Sequence, residues 1–410
     1  MNSLIHIHGF KKATTKRQSL PLVLGVDQPL LIGSLLLLAI GMVMVASASI
    51  GIADKQFNDP LFYARKHLFY VAIGIALAIA VQRVRLVHWE KSGTTLVFFA
   101  LFLLSIVLVP GVGRTVNGAT RWLDLGFIGL QASEPARLLL LIYLAGYLVR
   151  RGEEVRRSFK GFVKPMLVLG IACILILLEP DYGSAAVLLL TGLIVIFLAG
   201  VRIWQFVFMM LCMLAIFALL AVTSPYRLQR LTTFMDPWAD PFNSGFQLTQ
   251  SLIAYGSGGW TGVGLGRSVQ KLFYLPEAHN DFLVAILAEE TGLIGVWLVL
   301  VLLAIVVWRS LRLAVTAEKL GLYFAAYLAY GLSLWIAIQA SINIGVSMGI
   351  LPTKGLTLPL VSAGGSSLLV MCIAIGLLMR VNLEIKLTQE QALRPDNFVV
   401  KPSNRSEPAL

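Results

Sequence analysis

The run Pro29-Leu30-Leu31-Ile32-Gly33-Ser34-Leu35-Leu36-Leu37-Leu38-Ala39-Ile40-Gly41-Met42-Val43-Met44-Val45-Ala46-Ser47-Ala48-Ser49 contains no charged residue. As a helix it is long enough to cross the roughly 30 Å apolar core of a bilayer. An open strand or loop there would leave peptide groups unpaired in lipid. Working outward, similar apolar runs occupy 67–82, 94–110, 134–149, 165–179, 184–200, 203–222, 282–308, 322–346 and 359–380. Hydrophobic residues make up 58% of the 410-residue chain and charged residues 13%, where soluble domains run near ~25% charged. The pattern predicts an all-α polytopic membrane protein of about ten transmembrane helices. Three runs are unusual. The 134–149 run opens on charge, a turn with Arg202 alone separates 184–200 from 203–222, and 322–346 carries Ser333, Gln339 and Asn343.

The net charge of +12 raises a nucleic-acid partner, but the charges lie between the apolar runs, where they act as topology determinants. The alternate connections and the two tails hold 22 Lys and Arg, against ten on the other side, with Arg137 left inside the fourth run. The positive-inside bias places both termini in the cytoplasm. The organisation expected is a cytoplasmic N-terminal tail over 1–28, a ten-helix domain over 29–380 with a large outer loop at 223–281, and a cytoplasmic tail over 381–410. The first 28 residues are polar and basic, and are not expected to form a cleavable leader. Cys173, Cys212 and Cys372 each lie in an apolar run and read as packing residues.

The outer connections differ from the short basic inner ones. The loop at 223–281 is long for a connection without a role. It carries Phe234-Met235-Asp236-Pro237-Trp238-Ala239-Asp240-Pro241, then a glycine-rich run from Gly256 to Gly266 around Trp260. That run is not a phosphate loop, because Arg267-Ser268 follows Gly266. It reads either as a flexible connection or as a close backbone approach.

Asp281 is the strongest single-residue signal. It stands where the polar loop enters the run Phe282-Leu283-Val284-Ala285. A carboxylate there is costly unless paired or functional, and partial burial raises its pKa, which suits a general base. Ala285 and Ala288 share its helical face. Glu289, roughly 12 Å deeper by helix rise, and Glu290 read as structural partners of basic residues in neighbouring helices. Glu134 and Arg137 share a face and can pair. Arg121 and Trp122 lie in a short surface connection. Glu179 and Asp181 flank Pro180, and Lys354 sits before Gly355. Ser362, Gly364, Gly365, Ser366 and Ser367 read either as helix-packing residues or as an opened helix end that meets an anion. Basic and acidic groups at headgroup depth suit an enzyme acting on an anionic lipid-linked substrate or a transporter, and composition does not separate the two.

Several segments together resemble the SEDS family (shape, elongation, division and sporulation proteins). They are Leu275-Pro276-Glu277-Ala278-His279-Asn280-Asp281-Phe282, Arg121-Trp122-Leu123, Ser133-Glu134, Glu179-Pro180-Asp181-Tyr182-Gly183 and Gly364-Gly365-Ser366-Ser367. The stretch from Gly345 to Pro359, with Thr353-Lys354-Gly355, is similar to the family's cell-division branch. Matching segments run from about residue 27 to 380. The resemblance implies a SEDS fold and a peptidoglycan glycosyltransferase of the inner membrane that polymerises lipid II, the undecaprenyl-diphosphate-linked disaccharide pentapeptide, at the septum. It maps the catalytic base onto Asp281. Arg121, Lys354, Arg137 and Glu134 become candidates for binding substrate and diphosphate, with Glu289, His279 and Ser366 in support. A divalent cation, Mg2+ or Mn2+, would accompany the diphosphate. The implied partners are the septal class B penicillin-binding transpeptidase FtsI and the division membrane proteins FtsQ, FtsL, FtsB and FtsN. The alternatives are a lipid II flippase and a non-catalytic scaffold of the division machinery. Two positions depart from the family pattern: Ala363, where Tyr is frequent, and Arg137, where Lys is common.

Overall fold

The computed structural model describes residues 26–393 except 117, 125, 127–128, 224–228, 230–231, 273 and 353–354. The chain is a polytopic helical membrane protein. Its helices are α1 (Gln28–Phe57), α2 (Phe62–Arg83), α3 (Leu86–Lys91), α4 (Gly93–Val107), α5 (Ser133–Arg157), α6 (Phe159–Leu178), α7 (Tyr182–Leu198), α8 (Ile203–Val222), α9 (Phe246–Gly258), α10 (Leu283–Lys319), α11 (Tyr323–Ser347) and α12 (Gly365–Leu393). Local chemistry sets the first of them. The Asp27 side chain accepts from the Leu30 N–H at 3.1 Å, and Pro29 stands in the first turn, where its missing N–H costs nothing. The same carboxylate accepts from Arg309, which fastens α1 to α10.

Among the described residues, seven helices are long and apolar enough to cross a membrane, not the ten expected: α1, α2, α6, α8, α10, α11 and α12. The other three expected runs fall on helices that miss for physical reasons. α4, at 15 residues, and α7, at 17, are apolar but short. α5 has 25 residues, but Glu134, Arg137, Arg150 and Arg151 break its apolar stretch. The final helix continues to Leu393, past the expected end at 380.

α12 lies along α2, α10 along α11, and α1 along α10. Small residues allow the closest approach: a Cβ on Gly74 of α2 would stand 2.8 Å from the Cys372 sulfur of α12. The expected surface connection around Arg121 is a three-stranded antiparallel sheet instead. β1 (Gly113–Val116), β2 (Ala119–Asp124) and β3 (Gly129–Gln131) pair in that order, with Trp122 opposite Arg114 and Gln131. β1 and β2 turn back at Gly118, whose φ of 76° suits glycine.

α10 is broken at Gly292, with φ 67° and ψ −167°. The break frees backbone groups that the glycine-rich loop takes up. Val263 and Gly264 donate to the carbonyls of Glu289 and Glu290, at 2.9 and 3.0 Å. Leu293 and Ile294 donate to those of Gly259 and Trp260, at 3.0 and 3.2 Å. The loop therefore dips against a helix of the bundle without leaving these backbone groups unpaired.

Candidate active site

Five segments converge at one end of the helices: β2 and β3, the start of α5, the α6–α7 turn, the turn before α10, and residues 355–367. The turn before α10 carries Asp281 and is built locally. Glu277 adopts φ 56°, and its carboxylate accepts from Asn280 Nδ2 at 2.6 Å. The His279 carbonyl accepts from the Ala363 N–H at 3.1 Å, joining the turn to the lead-in of α12. From α11, Asn343 Nδ2 donates to the carbonyls of Asp281, at 2.8 Å, and Leu356, at 2.5 Å. Gln339, one turn deeper, donates to the Thr357 carbonyl at 3.0 Å.

These bonds hold the Asp281 backbone, and its half-buried carboxylate makes no hydrogen bond to the described residues. Gly355 passes over it so closely that an added Cβ would stand 2.8 Å from Oδ2. Burial, then Glu277, pushes the Asp281 pKa up to about 7, with Asp181 adding to the rise and Arg121 opposing it. Glu179, at the end of α6, is fully buried with neither carboxylate oxygen hydrogen-bonded. Burial and then Asp181 raise its pKa to about 9, against the pull of Arg121.

Arg121 lies on β2 and bridges to the α6–α7 turn. Its Nε donates to the Glu179 carbonyl at 3.1 Å and its Nη2 to the Pro180 carbonyl at 2.7 Å. Asp181 caps α7 by accepting from the Ser184 N–H at 3.1 Å, and its other oxygen accepts from Gln131 and Ser133 at 3.0 and 3.2 Å. Ser366 Oγ accepts from the Gln131 N–H at 3.2 Å, so it belongs to this cluster through β3. Arg121 is thus brought into electrostatic range of Asp281 by a strand packed on a turn.

The remaining candidates lie elsewhere. Glu134 and Arg137 pair at 3.6 Å inside the bundle, and Arg137 is fully buried, donating to Gln339 at 2.8 Å with its guanidinium 5.2 Å from the Trp335 ring. Glu289 accepts from the Ser268 hydroxyl and from the N–H groups of Val269 and Gln270, at 3.0 and 3.3 Å. Glu290 pairs with Lys271 at 2.7 Å and accepts from Ser47. Both glutamates hold the loop before α10 rather than facing Asp281. Lys354 lies outside the described residues. Residues that the sequence reading did not place in the site include Gln339, Asn343 and Gly355. Two amides four apart in an apolar run were the available signal for the first two. No three His, Cys, Asp or Glu side chains among the described residues gather closely enough to cage a metal.

A cavity of about 330 Å³ opens beside the Asp281 turn, with His279 and Asn280 in its wall.

The comparisons agree with this architecture. The family model for cell cycle proteins, FTSW_RODA_SPOVE, matches residues 28–387. The chain is 58% identical over 359 residues to the probable peptidoglycan glycosyltransferase FtsW of Thioalkalivibrio sulfidiphilus, covering 88% of this chain and 90% of that one. To the protein of the same description from Legionella pneumophila it is 51% identical, over 88% and 91%. Among solved structures, a chain from the work "Structural coordination of polymerization and crosslinking by a peptidoglycan synthase complex" superposes with a TM-score of 0.70 at 28% identity, over 88% of this chain and 98% of that one. The rod shape determining protein RodA of Thermus thermophilus superposes at 0.65 with 28% identity, over the same shares.

Proposed function

From the fact that this chain belongs to the FtsW/RodA/SpoVE family of cell cycle proteins, we propose that it is the peptidoglycan glycosyltransferase of septal wall synthesis, a multi-pass protein of the inner membrane. It polymerises lipid II into glycan strands on the outer face. The observation that carries the reading is Asp281: a carboxylate without a hydrogen bond among the described residues at the mouth of α10, its backbone clamped by Asn343 and its pKa near 7.

The chemistry follows from the substrate. A sugar hydroxyl is a poor nucleophile, so Asp281 takes the proton of the acceptor 4-hydroxyl as its oxygen attacks the anomeric carbon of the donor. The bond to the undecaprenyl diphosphate breaks as the new glycosidic bond forms. One displacement inverts the α-linked donor to the β-(1,4) product, and no covalent sugar intermediate is needed. Arg121, held on two backbone carbonyls, is placed to offset the charge that builds on the diphosphate, and Lys354 is proposed to join it. A divalent ion, Mg2+ or Mn2+, is proposed to accompany the diphosphate, where it would supply further positive charge against the leaving group. Arg137 and Glu134 act behind the site, keeping Gln339 on the segment that covers Asp281.

Ten of the helices, all but α3 and α9, are proposed to cross, the shorter α4 and α7 and the charged α5 included, with both termini cytoplasmic. FtsI is the proposed transpeptidase partner, alongside FtsQ, FtsL, FtsB and FtsN. The test is polymerisation of lipid II by the purified chain in detergent, with and without that transpeptidase. Flipping has no meaning there and a scaffold makes no product, so polymer supports the reading. No polymer in either condition refutes it.

A further inference from the structure

One side chain ties the turn that carries Asp281 to the segment that covers it. Asn343 of α11 is buried, and its Nδ2 donates twice, to the Asp281 carbonyl at 2.8 Å and to the Leu356 carbonyl at 2.5 Å. Among the described residues no other side chain bonds both segments. A planar amide suits this task. It offers two donors at a fixed angle, where a hydroxyl offers one and a carboxylate none.

Asn343 belongs to a polar row on α11. Gln339, Asn343 and Ser347 recur at intervals of four and share a helical face. Gln339 donates to the Thr357 carbonyl at 3.0 Å, and the hydroxyls of Ser347 and Tyr255 of α9 meet at 3.0 Å. The row thus holds successive segments at set heights along one helix. The cover has further supports. A Cβ on Gly183, at the start of α7, would stand 3.1 Å from Cγ of buried Leu356, and the Thr357 hydroxyl meets Ser367 Oγ at 2.9 Å. Those two contacts fix the cover to α7 and α12 and do not reach the Asp281 turn. The backbone bond from Ala363 to His279 joins the same two stretches, but further along the chain. The height of Gly355 over the Asp281 carboxylate is therefore set through Asn343, which holds the residue after the first and the main chain of the second.

We propose that Asn343 is a positioning residue for glycosyl transfer: by fixing Gly355 over the Asp281 carboxylate, it keeps water off that carboxylate and aims it at the acceptor hydroxyl. The assignment rests on the glycosyltransferase reading. The charged groups around Asp281 are Glu277 on its own turn, Arg121 on β2 and Asp181 at the head of α7. Glu179 lies beside Arg121, and Lys354 adjoins Gly355 in the chain. From α11 come the neutral amides of Gln339 and Asn343. Burial raises the Asp281 pKa more than any of these neighbours does. Releasing the cover admits water, so the titration midpoint should fall toward the ordinary carboxylate range.

Asn343→Leu and Asn343→Ser test this in the full-length purified protein. Serine leaves room for water at the two carbonyls and carries the test if the leucine variant does not fold. Saturated polymerisation of lipid II at pH 8 should fall about ten-fold or more, with the apparent KM within about three-fold of the parent. The rise in turnover from pH 6 to pH 8 should shrink from about ten-fold to about two-fold, as the midpoint drops by about one unit. Asn343→Ser combined with Gly355→Ala should lose little more activity than either alone, because both act through one contact. A further readout needs no substrate. A hydrophobic carbodiimide attacks protonated carboxyls, and peptide mass spectrometry follows its labelling of Asp281 against pH. In Asn343→Ser the labelling should reach half its full rate about one pH unit lower than in the parent. A lower melting temperature with unmoved midpoints, the result of a merely structural amide, overturns the proposal. So do losses that multiply in the double variant. A parent that makes no polymer counts against the glycosyltransferase reading, and the carbodiimide midpoint then decides by itself whether Asn343 governs the carboxylate.

Discussion

Replacing Asp281 with Asn tests the base directly. The amide keeps the shape of the side chain and removes its ability to take a proton. General-base contributions are typically ~10²–10⁴-fold, so polymer formed per mole of folded protein should fall by at least about two orders of magnitude. The structure also predicts what happens to stability. The native pKa of about 7 lies above the ~3.9 of an unfolded aspartate, so the folded protein binds this proton more tightly. The carboxylate therefore lowers stability progressively as pH rises from about 4 through 7, by something on the order of 4 kcal/mol at most once fully ionised. Among the described residues no hydrogen bond depends on the side chain; Asn343 holds the backbone carbonyl. Asp281→Asn should melt no lower than the parent at pH 8. A carboxylate that merely braced the turn would give the opposite pair of results: a lower melting temperature, with activity retained by the folded fraction. In the parent, the ionised fraction rises from about one-tenth at pH 6 to about nine-tenths at pH 8, so turnover should climb about ten-fold over that range. The assay is single-turnover polymerisation of labelled lipid II with thermal unfolding on the same samples. Asp281→Asn activity within a few-fold of the parent refutes the reasoning.

Gly355→Ala places a methyl 2.8 Å from Asp281 Oδ2; turnover should drop about ten-fold or more with the melting temperature nearly unchanged, read by the same two assays. Arg121→Lys cannot span the Glu179 and Pro180 carbonyls with a planar fork; polymerisation should fall despite the retained charge, and parental kinetics would refute a role for the fork. Gly292→Ala forces a side chain into a left-handed break against the backbone of Trp260 and Gly262, with an expected loss of roughly 1–3 kcal/mol, measured as a lower melting temperature in detergent. Single cysteines between 232 and 272 should react with an impermeant thiol reagent without permeabilisation, and labelling only after permeabilisation would overturn the proposed orientation.

What the sequence made legible follows from which forces are local. The edge of an apolar run is a one-dimensional feature, so Asp281 could be singled out from the residues around it: α10 begins two residues later, at Leu283. The lengths of the apolar runs likewise predicted helices over each expected span. Pairings between distant segments were not readable in this way. Glu289 and Glu290 were expected to pair with basic residues in neighbouring helices. Instead Glu290 meets Lys271 of the loop before α10, and Glu289 meets loop backbone N–H groups that no residue pattern announces. Gly292 resembles any small residue in an apolar run, and its role appears only once the loop carbonyls of Gly259 and Trp260 stand opposite Leu293 and Ile294. Strands of three to six residues offered too short a period to be distinguished from a surface connection around Arg121.

The same division explains why the site is assembled as it is. The proposed base needs a pKa near neutrality, and that requires a carboxylate kept from water with no cation bonded directly to it. An apolar helix mouth supplies the burial. The polar neighbours then have to hold the turn without touching the carboxylate, and they do so through main-chain carbonyls. Asn343 takes those of Asp281 and Leu356, and Arg121 takes those of Glu179 and Pro180. Arg121 is thereby fixed close enough to moderate the Asp281 pKa while being spent on other partners. A side chain bonded to the carboxylate itself would pull the pKa back toward the ordinary range and remove the base at neutral pH. Glu179, buried without a hydrogen bond and holding its proton to about pH 9, adds little charge beside the incoming diphosphate at neutral pH.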